Sequence, residues 1–207
     1  MPSVSVKDKV VLISGSNRGI GKSFAIQALE MGAKKVYAGA RDESTLAELV
    51  AQYGDKIAPL TLDVTNQDHI DAAAAAAGDV DILINNSGMG GGGPAVNNPN
   101  PAGQRMEMEV NYFGMMNMSS AFAPILKANG GGAIINILSV AALSNFAFAP
   151  GYSASKAAGR SLTQALRVEL AAQNTLVSGV FPGPVDTDMA KNVPMDKVSP
   201  DSVAVHV

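Results

Sequence analysis

Tyr152 and Lys156 stand four residues apart in the run GYSASK. On a helix that spacing puts two side chains on one face, one turn apart. A phenol alone, with a pKa of about 10, is a poor proton donor or acceptor near neutrality. A protonated lysine beside it favours the phenolate and lowers that pKa. Reaching about 7 takes roughly 4 kcal/mol of differential stabilisation, of which one lysine supplies part and a positively charged cofactor ring would supply more. The spacing predicts a proton-transfer pair. The plain alternative is a surface helix that carries both residues by chance, and the rest of the chain has to decide.

Upstream elements supply what such a pair needs. Residues 9–14, KVVLIS, form a continuous β-branched run, the pattern of a strand buried on both faces of a parallel sheet. GSNRGIG follows, with Gly15, Gly19 and Gly21, and then an amphipathic helix to about residue 31. A strand, a glycine turn and a helix start make a phosphate cradle, because small residues let backbone N–H groups approach an anion at the positive end of the helix dipole. The spacing is G-x-x-x-G-x-G rather than G-x-G-x-x-G, and a glycine turn also arises for purely steric reasons. SNRGIGKS at 16–23 nearly matches a nucleoside-triphosphate loop, but Ser16 stands where that pattern needs glycine. Ser153 to Lys156 matches S-x-x-K of the penicillin-binding enzymes, without its companion motifs.

Further βα alternation follows. Residues 35–40, KVYAGA, read as a second strand, ending at Arg41. In dinucleotide folds a carboxylate at this point binds the ribose 2′-hydroxyl and an arginine accommodates a 2′-phosphate. With Arg18 in the glycine loop, two arginines favour NADP(H) over NAD(H); the competing reading pairs Arg41 with Asp42 or Glu43 on the surface. A helix is expected over 42–53 with Asp42 or Ser44 as cap, a third strand over 57–62, and a helix over 66–77. The fourth strand, 81–84, runs into Asn85-Asn86-Ser87-Gly88. The glycine-, proline- and asparagine-rich residues 88–103 predict a mobile loop, with 88–93 as a lid that orders on binding. A long helix over 102–128 carries Asn111 in its middle, with Pro124 bending or ending it. The fifth strand, 132–138, ends at Ser139; the helix opened by Tyr152 runs to about 174; the sixth strand, 176–181, leads into PGPVDT; and a last helix starts near 199.

The composition narrows the partners. The chain has 207 residues, 47% hydrophobic and 16% charged, which fits one domain over 1–207 with a full core. A net charge of -3 speaks against a nucleic acid or an anionic membrane as partner. With no cysteine there are no disulfides or thiolate sites, and two histidines far apart in sequence make a metal site unexpected. The start lacks the apolar core of a signal peptide, so the cytoplasm is the expected compartment.

Taken in order, these motifs resemble the short-chain dehydrogenase/reductase family from about residue 7 onward. SGSNRGIG at 14–21 is similar to that family's TGxxxGIG, Asp63-Val64 to its adenine-contacting pair, NNSG at 85–88 to NNAG, and PGPVDT at 182–187 to its PG…T motif. Asn111, Ser139, Tyr152 and Lys156 fall where the family keeps its catalytic tetrad. The resemblance implies a Rossmann-like doubly wound parallel sheet in three α/β/α layers, of about six strands with the usual seventh missing, the chain being short at its C-terminus. It implies cofactor contacts from Gly15, Asn17, Arg18, Gly19, Ile20, Gly21, Arg41, Asp63, Val64, Asn85, Ser87, Gly88, Tyr152, Lys156, Pro182, Gly183, Val185 and Thr187. It also implies a mechanism: hydride passes between NADPH and a carbonyl, Tyr152 gives the proton, Lys156 lowers the tyrosine pKa and holds the ribose, Ser139 hydrogen-bonds the carbonyl oxygen, and Asn111 holds a water that resupplies protons. The small-molecule substrate is expected to be an apolar or aromatic ketone, aldehyde or secondary alcohol, because Phe146, Phe148, Met189 and Val193 fall in the segments that line such sites. A homodimer or homotetramer is expected. The alternatives are a regulatory or interaction protein that binds nucleotide without turnover, and a triphosphatase using the near-match loop.

Overall fold

The computed structural model describes residues 4–207. Six strands form one all-parallel sheet in the order β3-β2-β1-β4-β5-β6. They are β1 (Val10–Ser14), β2 (Lys35–Ala40), β3 (Ile57–Thr61), β4 (Ile82–Asn85), β5 (Gly132–Ile137) and β6 (Thr175–Val180). The order reverses direction between β1 and β4, which opens a crevice at the carboxyl ends of the strands. The sheet matches the expected doubly wound architecture, with β6 paired only to β5.

Helices cover both faces because successive strand residues point to opposite sides. In β1, Val11 and Ile13 pack with Phe24, Ala25 and Leu29 of α1 (Gly19–Glu30) and Leu49 of α2 (Ala47–Tyr53). Val10 and Leu12 pack instead with Ile70 of α3 (Gln67–Ala76) and Phe122 of the long helix described next. The expected helix over 42–53 begins as a 3-10 turn, Glu43–Leu46, with the Asp42 carboxylate accepting from the Ser44 N–H as its cap.

The long helix after β4 comes in three pieces. α4 (Pro101–Met108) passes through a π-helical turn, Glu109–Gly114, into α5 (Met115–Ala128). Gly114 lets this helix approach the segment after β3: a Cβ there would lie 2.6 Å from a Val64 methyl. Pro124 does not end the element, as it lies within α5. The ring is exposed while Phe122 and Leu126 on either side are buried, so packing holds the helix through the lost hydrogen bond. α6 (Pro150–Glu169) and the short α7 (Pro200–Val205) complete the set.

A ladder of buried polar side chains crosses the apolar sheet. Asn85 and Asn136 are register partners on β4 and β5. Asn85 Nδ2 donates to Asn136 Oδ1 at 2.9 Å and to Ser119 Oγ at 3.1 Å. Asn136 Nδ2 donates in turn to Thr163 Oγ1 of α6 at 2.9 Å. Among the described residues, no helix is long and apolar enough to cross a membrane.

Candidate active site

The glycine turn after β1 is built by close approach. A Cβ on Gly21 would meet the Gly15 carbonyl, and Gly15 and Gly19 hold positive φ angles of 71° and 53°. Ser14 fixes this turn to the end of β4, its hydroxyl accepting from the Asn86 N–H at 3.0 Å and the Ser87 N–H at 2.9 Å. Only the hydroxyl is used, which is why serine serves as well as threonine. Asn86 closes the frame, donating from Nδ2 to the Ser14 and Gly15 carbonyls at 2.9 and 3.0 Å.

α1 opens from this turn without a side-chain cap, Arg18 standing extended at its N-cap, whereas α3, α4 and α7 are capped by Asn66, Asn100 and Ser199. First-turn amides without a side-chain partner, at the positive end of a helix, are the donor set that a pyrophosphate takes. The turn therefore fits a dinucleotide.

The carboxyl ends of the other strands surround it. Arg41 is exposed at the end of β2. None of the ion pairs among the described residues includes it, so the pairing with Asp42 or Glu43 does not form. Asp63 is partly buried, which pushes its carboxyl up, but bonds from the Thr65 N–H and hydroxyl, with the charges of Arg41 and His69, bring it below the usual range. Thr187 packs against Gly19, and Arg18 reaches Asp188 across 3.2 Å, so the glycine turn and the segment after β6 meet. That segment is tied down by the Pro182 carbonyl, which accepts from the Val140 N–H, and by a bridge between Val185 and Val198. Gly183 has open space around it.

Tyr152 and Lys156 lie in the first two turns of α6, beside Ser139 at the end of β5. Lys156 is 4% exposed, and its Nζ donates to the Ile137 carbonyl at 2.9 Å. Burial depresses the ammonium to a pKa of about 8. The Nζ lies 5.7 Å from the centre of the Tyr152 ring. The Ser139 hydroxyl accepts from the Ala141 N–H at 3.1 Å, which leaves its own proton to donate. The tyrosine corrects the expectation that its neighbours lower its pKa. Burial pushes the phenol up, Ser139 works against that rise, and the negative charge of Glu107 adds to it.

Asn111 joins this group in the π-helical turn. Its Oδ1 accepts from the Met89 N–H, and its Nδ2 donates to the Met89 carbonyl and to Ser155 Oγ, all at 2.9 Å. The side-chain amide anchors the glycine loop. Gly88 leaves room for these groups: a Cβ there would lie 3.3 Å from Asn111 Oδ1 and 3.4 Å from Lys156 Nζ. The stretch expected as a lid also carries side-chain bonds. Asn111, Glu107 and Gln104, all on one helical face, bond to Met89, to Gly92, and to Gly93 and Pro94 respectively.

The Asn85 side chain, 3% exposed, belongs to the ladder inside the sheet. Successive strand residues alternate faces, so Asn86 takes the crevice side. Sequence reasoning missed Asn86, Glu107 and Gln104. Strand alternation through the NNSG run carried the signal for the first; the other two look like ordinary residues of a polar helix.

The short chain dehydrogenase family profile matches residues 9–198. The chain belongs to the short-chain dehydrogenase family. It is an oxidoreductase of that family. The 7alpha-hydroxysteroid dehydrogenase of Escherichia coli K12 is 34% identical over 191 residues, 89% of this chain and 74% of that protein. A short chain dehydrogenase from Burkholderia cenocepacia, solved in complex with NADP, is 40% identical with a TM-score of 0.93 over 98% of this chain and 83% of that one. A 3-ketoacyl-(acyl-carrier-protein) reductase from Brucella melitensis, solved with NADH, is 29% identical with a TM-score of 0.90 over 98% and 90% of the two chains.

Proposed function

We propose that this short-chain dehydrogenase is an NADP(H)-dependent carbonyl reductase or alcohol dehydrogenase acting on an apolar or aromatic ketone, aldehyde or secondary alcohol. The observation that carries the proposal is the convergence of Tyr152, Lys156 and Ser139 beside Gly88, next to a phosphate-accepting turn. A bound nicotinamide supplies or accepts the hydride. Ser139 donates its free proton to the carbonyl oxygen and stabilises charge as it develops there. Tyr152 delivers a proton to the same oxygen in reduction and withdraws it in oxidation. Lys156, buried and already near neutrality in its titration, sets the field in which that proton moves.

The turn Gly15–Gly21, with Asn17, Arg18 and Ile20, would hold the pyrophosphate; Asp63 and Val64 would meet the adenine; Ser87, Gly88, Pro182, Gly183, Val185 and Thr187 would line the nicotinamide side. Arg41, exposed and unpaired at the end of β2, supports a 2′-phosphate. Arg18 would have to leave Asp188 to share in that task, a small cost for an exposed ion pair. The apolar substrate rests on Phe146 and Phe148, whose rings stack at 5.4 Å with Phe148 59% exposed. The exposed Met106 and Phe113 on the α4–α5 helix favour self-association into a homodimer or homotetramer, and the cytoplasm remains the proposed compartment.

Equilibrium binding of NADPH, NADH and Mg-ATP, side by side, tests the cofactor half. Tight NADPH with much weaker NADH is expected, and equal affinities would remove the role given to Arg41. For the chemistry, Tyr152→Phe should bind cofactor as before yet lose about 10²–10⁴-fold in turnover. Near-full activity would sink the assignment.

A further inference from the structure

Glu107 is a carboxylate buried to 1% exposure, and none of the ion pairs among the described residues includes it. One oxygen, Oε1, accepts from the Gly92 N–H at 2.9 Å. The other, Oε2, has no hydrogen-bond partner. Burying a polar group without a partner costs free energy, more so for a charged one. A glutamine would hold Gly92 equally well through its amide oxygen. A carboxylate here needs a reason beyond the loop bond.

Its surroundings give one. Glu107 is the central stitch of the three that run along α4 into the π-helical turn: Gln104 to Gly93 and Pro94, Glu107 to Gly92, and Asn111 to Met89. It alone of the three is ionisable. Oε2 also touches a second element, since a Cβ on either Gly92 or Gly151 would run into it. Gly151 is the residue immediately before Tyr152. The same loop passes the phenol, where a Cβ on Gly90 would lie 3.5 Å from the Tyr152 ring. The carboxylate thus sits where the glycine loop, α4 and the first turn of α6 meet.

We infer that Glu107 is a positioning residue: its carboxyl joins the glycine loop at Gly92 to the start of α6 at Gly151, and so sets where the Tyr152 phenol stands against the loop. This rests on the reading of Tyr152 as the proton-transfer group. The groups against Glu107 are Gln104 on its own helix, the Gly92 backbone and Gly151. Ser139 after β5 and Lys156 one turn along α6 stand by Tyr152, Gly90 passes its ring, and Glu107 acts on the phenol through its charge. Of these, Glu107 alone brings negative charge, and it favours the protonated phenol. Glu107 therefore keeps Tyr152 a proton donor while it holds the wall beside it.

The test needs neither cofactor nor substrate. NMR of protein labelled with carbon-13 at the tyrosine Cζ follows the titration of each of the four tyrosines, with Tyr152 assigned by its loss in Tyr152→Phe. Amide exchange at Gly92 is read on the same proteins. Glu107→Gln should keep Gly92 protected and lower the Tyr152 pKa, as expected when a near negative charge is removed. Glu107→Leu should also speed exchange at Gly92 by roughly tenfold, the worth of one hydrogen bond. Unchanged exchange in a folded Glu107→Leu protein overturns the inference. If Glu107→Leu does not fold, Glu107→Gln decides, and a Tyr152 titration unmoved from wild type overturns it. Full turnover in Tyr152→Phe would instead remove the catalytic reading and leave the Glu107 clamp standing.

Discussion

Two stretches rich in glycine border the crevice, and they use glycine for different ends. In the turn at 15–21 the glycines let backbone meet backbone: Gly21 stands against the Gly15 carbonyl, and the frame around it is neutral, built from Ser14 and Asn86. In the loop at 88–93 they make room for ionisable side chains, Gly88 for Lys156 and Gly92 for Glu107, while Gly91 and Gly93 have open space around them. One loop is shaped to accept a charged ligand with main-chain groups. The other is shaped around charges the protein already carries. Glycine content alone does not distinguish these, which is why the second stretch reads as a mobile lid from sequence.

The sharpest way to break this comparison is in the first loop. Gly21→Ala forces a methyl onto the Gly15 carbonyl, and overpacking against backbone that cannot give should cost about 3 kcal/mol or more. Denaturant unfolding should show that loss, and calorimetry should show no NADPH binding by whatever folds. A tolerated alanine would mean that the turn is looser than its contacts imply.

The next effect belongs to the second loop and depends on pH. Lys156 is protonated in both folded and unfolded chains below about pH 8, so folding then bears the full cost of burying its charge. Between about 8 and the ordinary lysine value of about 10.4 the folded state sheds the proton first, and stability rises with pH. Lys156→Met should remove that rise and be more stable at neutral pH by on the order of 1–3 kcal/mol, while losing activity. Unfolding curves of both proteins at pH 7 and pH 9.5 check it; parallel changes would exclude a buried, depressed lysine.

The smallest effect should come at Gly90. An added methyl there meets only the edge of the Tyr152 ring at 3.5 Å, an ordinary contact, at a position without positive φ. Gly90→Ala should keep stability within about 0.5 kcal/mol, as for substitutions that break no named interaction. A large loss there, with Gly21→Ala tolerated, would invert the comparison.

The sheet was legible because its strands are β-branched runs closed by turn residues; β2 falls on residues 35–40 as expected. The Tyr–Lys pair and the glycine turn were legible because their chemistry and spacing are local, whereas Ser139 was singled out through the family resemblance. What escaped depends on tertiary direction. Asn85 and Asn86 are chemically identical neighbours, and only the pleat sends one inside and the other to the crevice. The π-helical turn at 109–114 has the polarity pattern of the α-helix around it, so nothing local marks it. The Tyr152 shift reversed sign because desolvation and Glu107 act through space, where a sequence shows only the lysine four residues on.

The amide ladder inside the sheet has a bearing on catalysis that no group in the crevice reveals. Parallel strands of valine and isoleucine would pair almost as well after sliding past each other, since one apolar residue replaces another. Sliding β5 along β4 would strand the amides of Asn85 and Asn136 in a dry interior, so the ladder makes one alignment far cheaper than its competitors. Gly88 lies three residues beyond Asn85, and Ser139 three beyond Asn136. The glycine loop and the Ser139 hydroxyl therefore leave the sheet at the same height, because two asparagines deep in the interior act as the dowel that stops the strands from slipping.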